Sequence, residues 1–116
     1  MAIFYKGAEI KFLIELTAEG FSMDDDDFDI EVASPRDSVI GYKDATKSSD
    51  TDVVIFQETV TSGGNSASAW YAIVDTKNLS LGDLRVIATA HVIDPNANDG
   101  VRNDVAVAPL GKLLNP

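Results

Sequence analysis

Hydrophobic and polar residues alternate along several short segments of the chain, and turn-forming residues separate these segments. A period of two is typical of β-strands that bury one face, whereas an amphipathic helix needs a period of 3.6, which no segment sustains. The pattern predicts seven strands, at residues 8–16, 27–32, 39–40, 52–57, 69–75, 84–92 and 101–107. Short strands at this spacing are typical of two packed sheets, so we predict an all-β, two-sheet sandwich that forms one domain over residues 1–116.

The same alternation predicts which side chains meet between the two sheets. The predicted core residues are Phe12, Ile14, Phe28, Ile30, Val54, Phe56, Trp70, Val86 and Ala88. Trp70 is the only tryptophan, and one large aromatic side chain often fills the space between the sheets of a sandwich.

The composition excludes several classes of function. The chain has no cysteine, so disulfides, thiolate metal sites and a cysteine nucleophile are absent. Its formal net charge is −10, and no cluster of Lys and Arg offers a surface for phosphates, so we expect neither nucleic acid nor an anionic membrane as a partner. The sequence shows no signal-peptide pattern at its start and no apolar run long enough to cross a bilayer.

His91 is the only histidine and is therefore the candidate for a catalytic or metal-binding histidine. Its predicted strand places it on the face opposite Val86 and Val92, so we expect a surface or partly buried position. A zinc site would need several carboxylate partners around one histidine, and the G-x-S-x-G motif of a serine hydrolase is absent. We therefore predict no catalytic residue, no cofactor-binding residue and no metal-binding residue.

Two acidic segments were tested as calcium sites. Residues 24–27 are four consecutive aspartates, whose side chains point in alternating directions along an extended chain, so we predict a solvated, self-repelling turn. Residues 94–100 resemble an EF-hand loop, but position 6 is Asp99 instead of glycine, and position 12 is Val105 instead of glutamate. We predict an ordinary hairpin loop there.

Two parts of the chain resemble a known family. One is YKGAEIKF at residues 5–12; the other comprises WYAIVD at 70–75, LSLGDL at 79–84 and DGVR at 99–102. Together they resemble small β-sandwich proteins from tail and baseplate modules of phages and prophages, notably those of gut Bacteroidales, and the N-terminal domain of the phage baseplate upper protein. The resemblance implies an immunoglobulin-like sandwich and a non-enzymatic structural role in the virion. It also implies assembly in the host bacterial cytoplasm with itself and other virion proteins.

A binding module is the alternative hypothesis. In a carbohydrate-binding or adhesin-type sandwich, Tyr71 or Tyr42 would stack on a sugar ring, and Asp94 and Asp99 would hold Ca²⁺.

The sequence leaves two arrangements open for the terminal segments, residues 1–5 and 109–116. The three leucines of the second segment either fold back on their own sandwich or dock on another chain, because apolar patches on a monomer tend to be covered.

Overall fold

The computed structural model describes residues 2–116, which contain strands and loops but no helix. The strands are β1 (Ile3–Tyr5), β2 (Glu9–Ile14), β3 (Asp27–Ala33), β4 (Ser38–Tyr42), β5 (Val53–Ser62), β6 (Asn65–Asp75), β7 (Gly82–Ile93) and β8 (Val101–Leu114). One sheet has the order β1-β8-β7-β3-β4, and the other has the order β2-β6-β5. The predicted all-β, two-sheet fold is confirmed, with eight strands instead of seven. The immunoglobulin-like topology is not confirmed.

Three hairpins, one of which is β3–β4, and pairings between distant strands organise the sheets. β5 and β6 pair antiparallel around Gly63 and Gly64, whose φ values of 57° and 84° suit the tight two-residue turn of a hairpin. β7 and β8 form the second hairpin around the loop at residues 94–100, as predicted. β3 pairs with β7 far along the chain, and this pairing joins β3 and β4 to the β7–β8 hairpin.

The core lies between the two sheets, and most predicted positions are in it. Ile14, Phe28, Ile30 and Ala88 are buried, whereas Phe12, Trp70 and Val86 are partly buried against them. The prediction was wrong for Val54, which is 54% exposed, and for Phe56, which lies on the same outer face. Val53 and Ile55 face the core instead, because they pair with the inward residues Val74 and Ala72. The run VVIF is apolar at both parities, so its pattern cannot define the buried face.

The C-terminal segment belongs to the five-stranded sheet. The last strand was predicted to end at residue 107, but β8 continues to Leu114 and pairs there with both β7 and β1. Leu113 is fully buried in the core, so the leucines fold back on their own chain. β1 was not predicted; it pairs in parallel with β8, and Met1 lies outside the described residues.

Gly111 allows β1 to lie close to β8, so we expect Gly111→Ala to destabilise the protein by more than about 1 kcal/mol. A Cβ atom there would lie 2.6 Å from the Ala2 carbonyl oxygen and 2.7 Å from Phe4, at a φ of +153°. Urea unfolding gives the loss, and hydrogen exchange at the Tyr5 amide reports the release of β1. Gly7→Ala is the control, because its φ is also positive but its Cβ would meet nothing within 4 Å. Equal effects of both substitutions would exclude the close approach as the cause.

Candidate functional site

A mixed cluster of one histidine and two aspartates lies on the outer face of the five-stranded sheet. Asp27 and Asp29 are two residues apart on β3, so both side chains lie on the same face. His91 on β7 is directly opposite Asp27 in the register. One potential ligand atom from each of the three residues lies within 4.8 Å of the others. All three side chains are partly buried, because the neighbouring strands flank them.

Both ring nitrogens of His91 have partners. Nδ1 lies 2.8 Å from Oδ1 of Asn103, its register partner on β8, and Nε2 lies 2.8 Å from Oδ2 of Asp29. Nδ1 therefore faces the side-chain amide of Asn103, and Nε2 faces the Asp29 carboxylate. A proton on Nε2, or a metal ion bound to it, makes the contact with this carboxylate favourable.

The electrostatics of the cluster are unbalanced toward negative charge. Burial lowers the pKa of His91, but hydrogen bonds to Asp29 and Asn103 and the charges of Asp29 and Asp27 together raise it above its usual value. The Lys47 ammonium lies 3.4 Å from Oδ2 of Asp27. Among the residues that the structure describes, Oδ1 of Asp27 and Oδ1 of Asp29 are buried and have no hydrogen-bond partner.

No carboxylate was predicted beside His91, whereas the structure places two there. The prediction considered only its own strand, whereas its two acidic neighbours lie on β3, more than 60 residues earlier in the chain. The alternation of Asp27 and Asp29 with buried Phe28 and Ile30 places both acids on one outer face. That signal is visible in the sequence, but the pairing of β3 with β7 is not, because strand pairing between distant segments leaves no local pattern.

The acidic turn at residues 24–27 is also more structured than predicted. Lys43 Nζ lies at its centre and donates hydrogen bonds to the carbonyl oxygens of Met23, Asp24 and Asp26, at 2.7, 3.0 and 2.6 Å. One ammonium group thus satisfies three backbone acceptors with its three donors.

The Asp24 carboxylate connects this turn to the three-stranded sheet. Its Oδ1 accepts hydrogen bonds from Trp70 Nε1 at 2.8 Å and from Gln57 Nε2 at 2.9 Å. Asp24 and Asp25 are both exposed, in keeping with a solvated turn, but Asp24 also makes two side-chain hydrogen bonds that the prediction did not include. The Lys43 ammonium lies within the turn, so the electrostatic repulsion among its four carboxylates is weaker than it would be without this positive charge.

The residues proposed for a sugar or calcium site are largely engaged. Tyr71 stacks on Phe56 with ring centroids 6.0 Å apart on the outer face of the three-stranded sheet, and Lys11 Nζ lies 4.7 Å from the Tyr71 ring centre. Asp94 accepts hydrogen bonds from Arg102 Nη1 at 2.7 Å and from the Asn96 amide at 3.0 Å. The Asp94 carboxylate is therefore held by protein donors within the hairpin loop.

Part of β8 is uncovered on three sides. β1 pairs only with Lys112–Leu114, so residues 101–109 have a strand on the β7 side alone among the described residues. On the outer face, Val105 and Val107 are 62% and 63% exposed, and Ile93, which is opposite Val101 near the hairpin loop, is 77% exposed. On the inner face, Ala106 and Ala108 are exposed and line a groove of about 500 Å³ between β8 and β2.

The fold and these surfaces define a two-sheet all-β protein with a histidine–aspartate cluster and an uncovered edge strand. No protein-family model, no curated protein and no solved structure matches the chain. Among residues 2–116, no helix is long and apolar enough to span a membrane.

Proposed function

We propose that this chain is a non-enzymatic structural component of a phage or prophage tail or baseplate, which assembles with itself and other virion proteins through β8. The observation that supports this role is the uncovered segment 101–109 of that strand, in which residues 105–109 are all apolar. The resemblance to phage tail and baseplate proteins in the entry strand and the β6–β7 region supports the virion context.

The free backbone of β8 is a template for strand addition. An edge strand presents unpaired N–H and C=O groups, and proteins usually protect such edges with charged residues, short strands or a covering segment. Residues 105–108 read VAVA and carry no charge, and no strand within residues 2–116 covers them on the side away from β7. A strand added there would satisfy the free backbone groups, as in recognition by β-augmentation.

Both faces of β8 favour the same addition. A new strand would extend the apolar outer row of Val105 and Val107, and its inward side chains would enter the groove above Ala106 and Ala108. The alanines are small, so this groove has room for larger apolar side chains from the added strand. In our proposal a second copy supplies this strand, with its own β8 antiparallel to the first across a two-fold axis.

The net charge of −10 opposes this self-association, and salt screens the repulsion. We therefore expect size-exclusion chromatography with light scattering to detect a multimer whose fraction rises with protein concentration and with salt. Val105→Lys should give a monomer with unchanged thermal stability, because it places a charge on each copy at the contact while leaving the core intact.

Val60→Lys is the matched control, because Val60 is 50% exposed and lies on the β5–β6 hairpin, away from β8. We expect this variant to keep the wild-type multimer. A wild-type chain that stays monomeric at high concentration and high salt would contradict self-assembly. Equal multimer formation by Val105→Lys and the wild type would exclude β8 as the contact.

A carbohydrate-binding module is the second candidate, and the stacked Phe56–Tyr71 pair on the outer face supports it. It ranks second because Lys11 lies over the Tyr71 ring and a sugar would have to displace it. Affinity electrophoresis through gels containing soluble polysaccharides tests this function. Retardation of the wild type that Tyr71→Ala abolishes would support it.

A further inference from the structure

We propose that Asp27, Asp29 and His91 form a binding site for a divalent transition-metal ion of the zinc class. The first support is spacing, since one donor atom from each residue lies within 4.8 Å of the others. Ligand atoms that bind zinc at about 2.0–2.2 Å can be no more than about 4.4 Å apart, so small side-chain movements would complete this arrangement. The three proposed ligands lie on β3 and β7, whereas the proposed assembly role uses β8; Asn103, which holds the histidine ring, is the one residue of the site on β8.

The second support is the orientation of the histidine ring. Nδ1 lies against Asn103 Oδ1, so Nε2 is the nitrogen that faces the carboxylates. Metal-binding histidines usually donate their other ring N–H to a protein oxygen in this way, which fixes the tautomer and the ring orientation. The 2.8 Å between Nε2 and Asp29 Oδ2 is a few tenths of an ångström shorter than the ~3.4 Å that separates neighbouring ligands on a tetrahedral zinc ion, so a small side-chain movement would admit the ion.

The third support is the shortage of positive charge. Asp27 and Asp29 each keep one buried oxygen without a hydrogen-bond partner among the described residues. A buried carboxylate oxygen without a partner is costly, and a divalent ion next to both carboxylates would remove that cost. One nitrogen and two carboxylate donors suit zinc, cobalt or nickel better than calcium or magnesium, which prefer oxygen ligands alone.

Lys47 is the internal competitor for this site. Its ammonium lies 3.4 Å from Asp27 Oδ2, and its side chain is 43% exposed, so it can move into solvent when an ion binds. The competing explanation is a simple ion-pair network, in which Lys47 and a protonated His91 balance the two carboxylates. The two explanations differ in what removal of Lys47 does.

Isothermal titration calorimetry with zinc chloride tests the proposal on the full chain. We expect one ion per chain, and at least a tenfold weaker affinity for His91→Gln and for Asp29→Asn. Glu31→Gln is the matched control, because Glu31 lies on the same strand and face two residues beyond Asp29, outside the cluster. It should bind zinc like the wild type. Circular dichroism of each variant establishes that it is folded.

Lys47→Ala separates the metal site from the ion-pair network. Removal of a competing cation should tighten zinc binding by several-fold, whereas an ion-pair network has no zinc affinity to increase. In ¹⁵N spectra of the histidine ring, zinc should shift Nε2 and leave Nδ1 protonated. The proposal is wrong if the wild type shows no saturable binding, or if His91→Gln binds zinc with unchanged affinity. Neither result bears on the assembly role, whose test uses β8 variants alone.

Discussion

Phe28→Ala is expected to lower the free energy of unfolding by about 3–5 kcal/mol, the range for removing a buried aromatic ring. Phe28 is fully buried on β3. Its ring contacts Trp70 edge-to-face at 5.6 Å and Phe21 at 6.5 Å, so the substitution loses both aromatic contacts and leaves a cavity. Urea unfolding, followed by the fluorescence of Trp70, measures the loss and reports the change beside the ring.

Phe56→Ala is the control for this prediction. Both substitutions remove the same side chain from a strand, but Phe56 lies on the outer face, where it stacks on Tyr71. Its loss should cost clearly less, since the space it leaves fills with water. Similar losses for the two variants would show that the buried face of β3 contributes no more than the outer face of β5.

Lys43→Met is expected to lower the free energy of unfolding by about 2–4 kcal/mol, although Lys43 lies in the loop directly after β4 and is partly exposed. Methionine keeps most of the aliphatic length but removes three donors, which leaves the carbonyl groups of Met23, Asp24 and Asp26 without their partner. Charge-assisted hydrogen bonds contribute about 1.5–3 kcal/mol each, and water recovers part of that loss at a partly exposed site. The ammonium also lies 5.1 Å from the centre of the Trp70 ring, a favourable cation–π position.

Lys112→Met is the charge-matched control, because it removes one positive charge from an exposed position on β8. Both variants raise the net negative charge equally, so the difference in unfolding free energy reports the hydrogen bonds of Lys43. High salt should leave that difference largely intact, because short contacts are screened less than distant charges. A difference that vanishes in high salt would mean that Lys43 acts only through its charge.

Local pattern predicted the strands well, because alternation is a property of each segment alone. β3 shows this clearly, since Phe28, Ile30 and Val32 alternate with acids and are all fully buried. The buried face of β5 was predicted wrongly, because Val53 to Phe56 are apolar at both parities. β1 was missed because three residues carry no period and are held mainly by a parallel partner at the other end of the sequence.

The histidine–aspartate cluster and the Lys43 turn were missed for a related reason. Each joins residues that no local rule connects: His91 meets Asp29 across β7 and β3, and Lys43 reaches back across the turn before β3. The histidine and the acidic residues were singled out from the sequence as candidate ligands, but the sequence did not show which of them lie next to one another. Their meeting depends on strand register, which the sequence of either strand alone does not determine.

The parallel pairing of β1 with β8 also determines the order in which the chain can fold. Ile3 lies opposite Lys112, so this contact closes a loop of almost the whole sequence, and such distant contacts form slowly. The three-stranded sheet uses residues 9–75 and can form first during synthesis, whereas β3 gains its partner β7 only afterwards. Until β7 has emerged from the ribosome, the edge of β3 that pairs with it has no partner. The nascent chain therefore passes through a stage with an unpaired strand edge, the feature that makes incomplete β-sheets prone to aggregate.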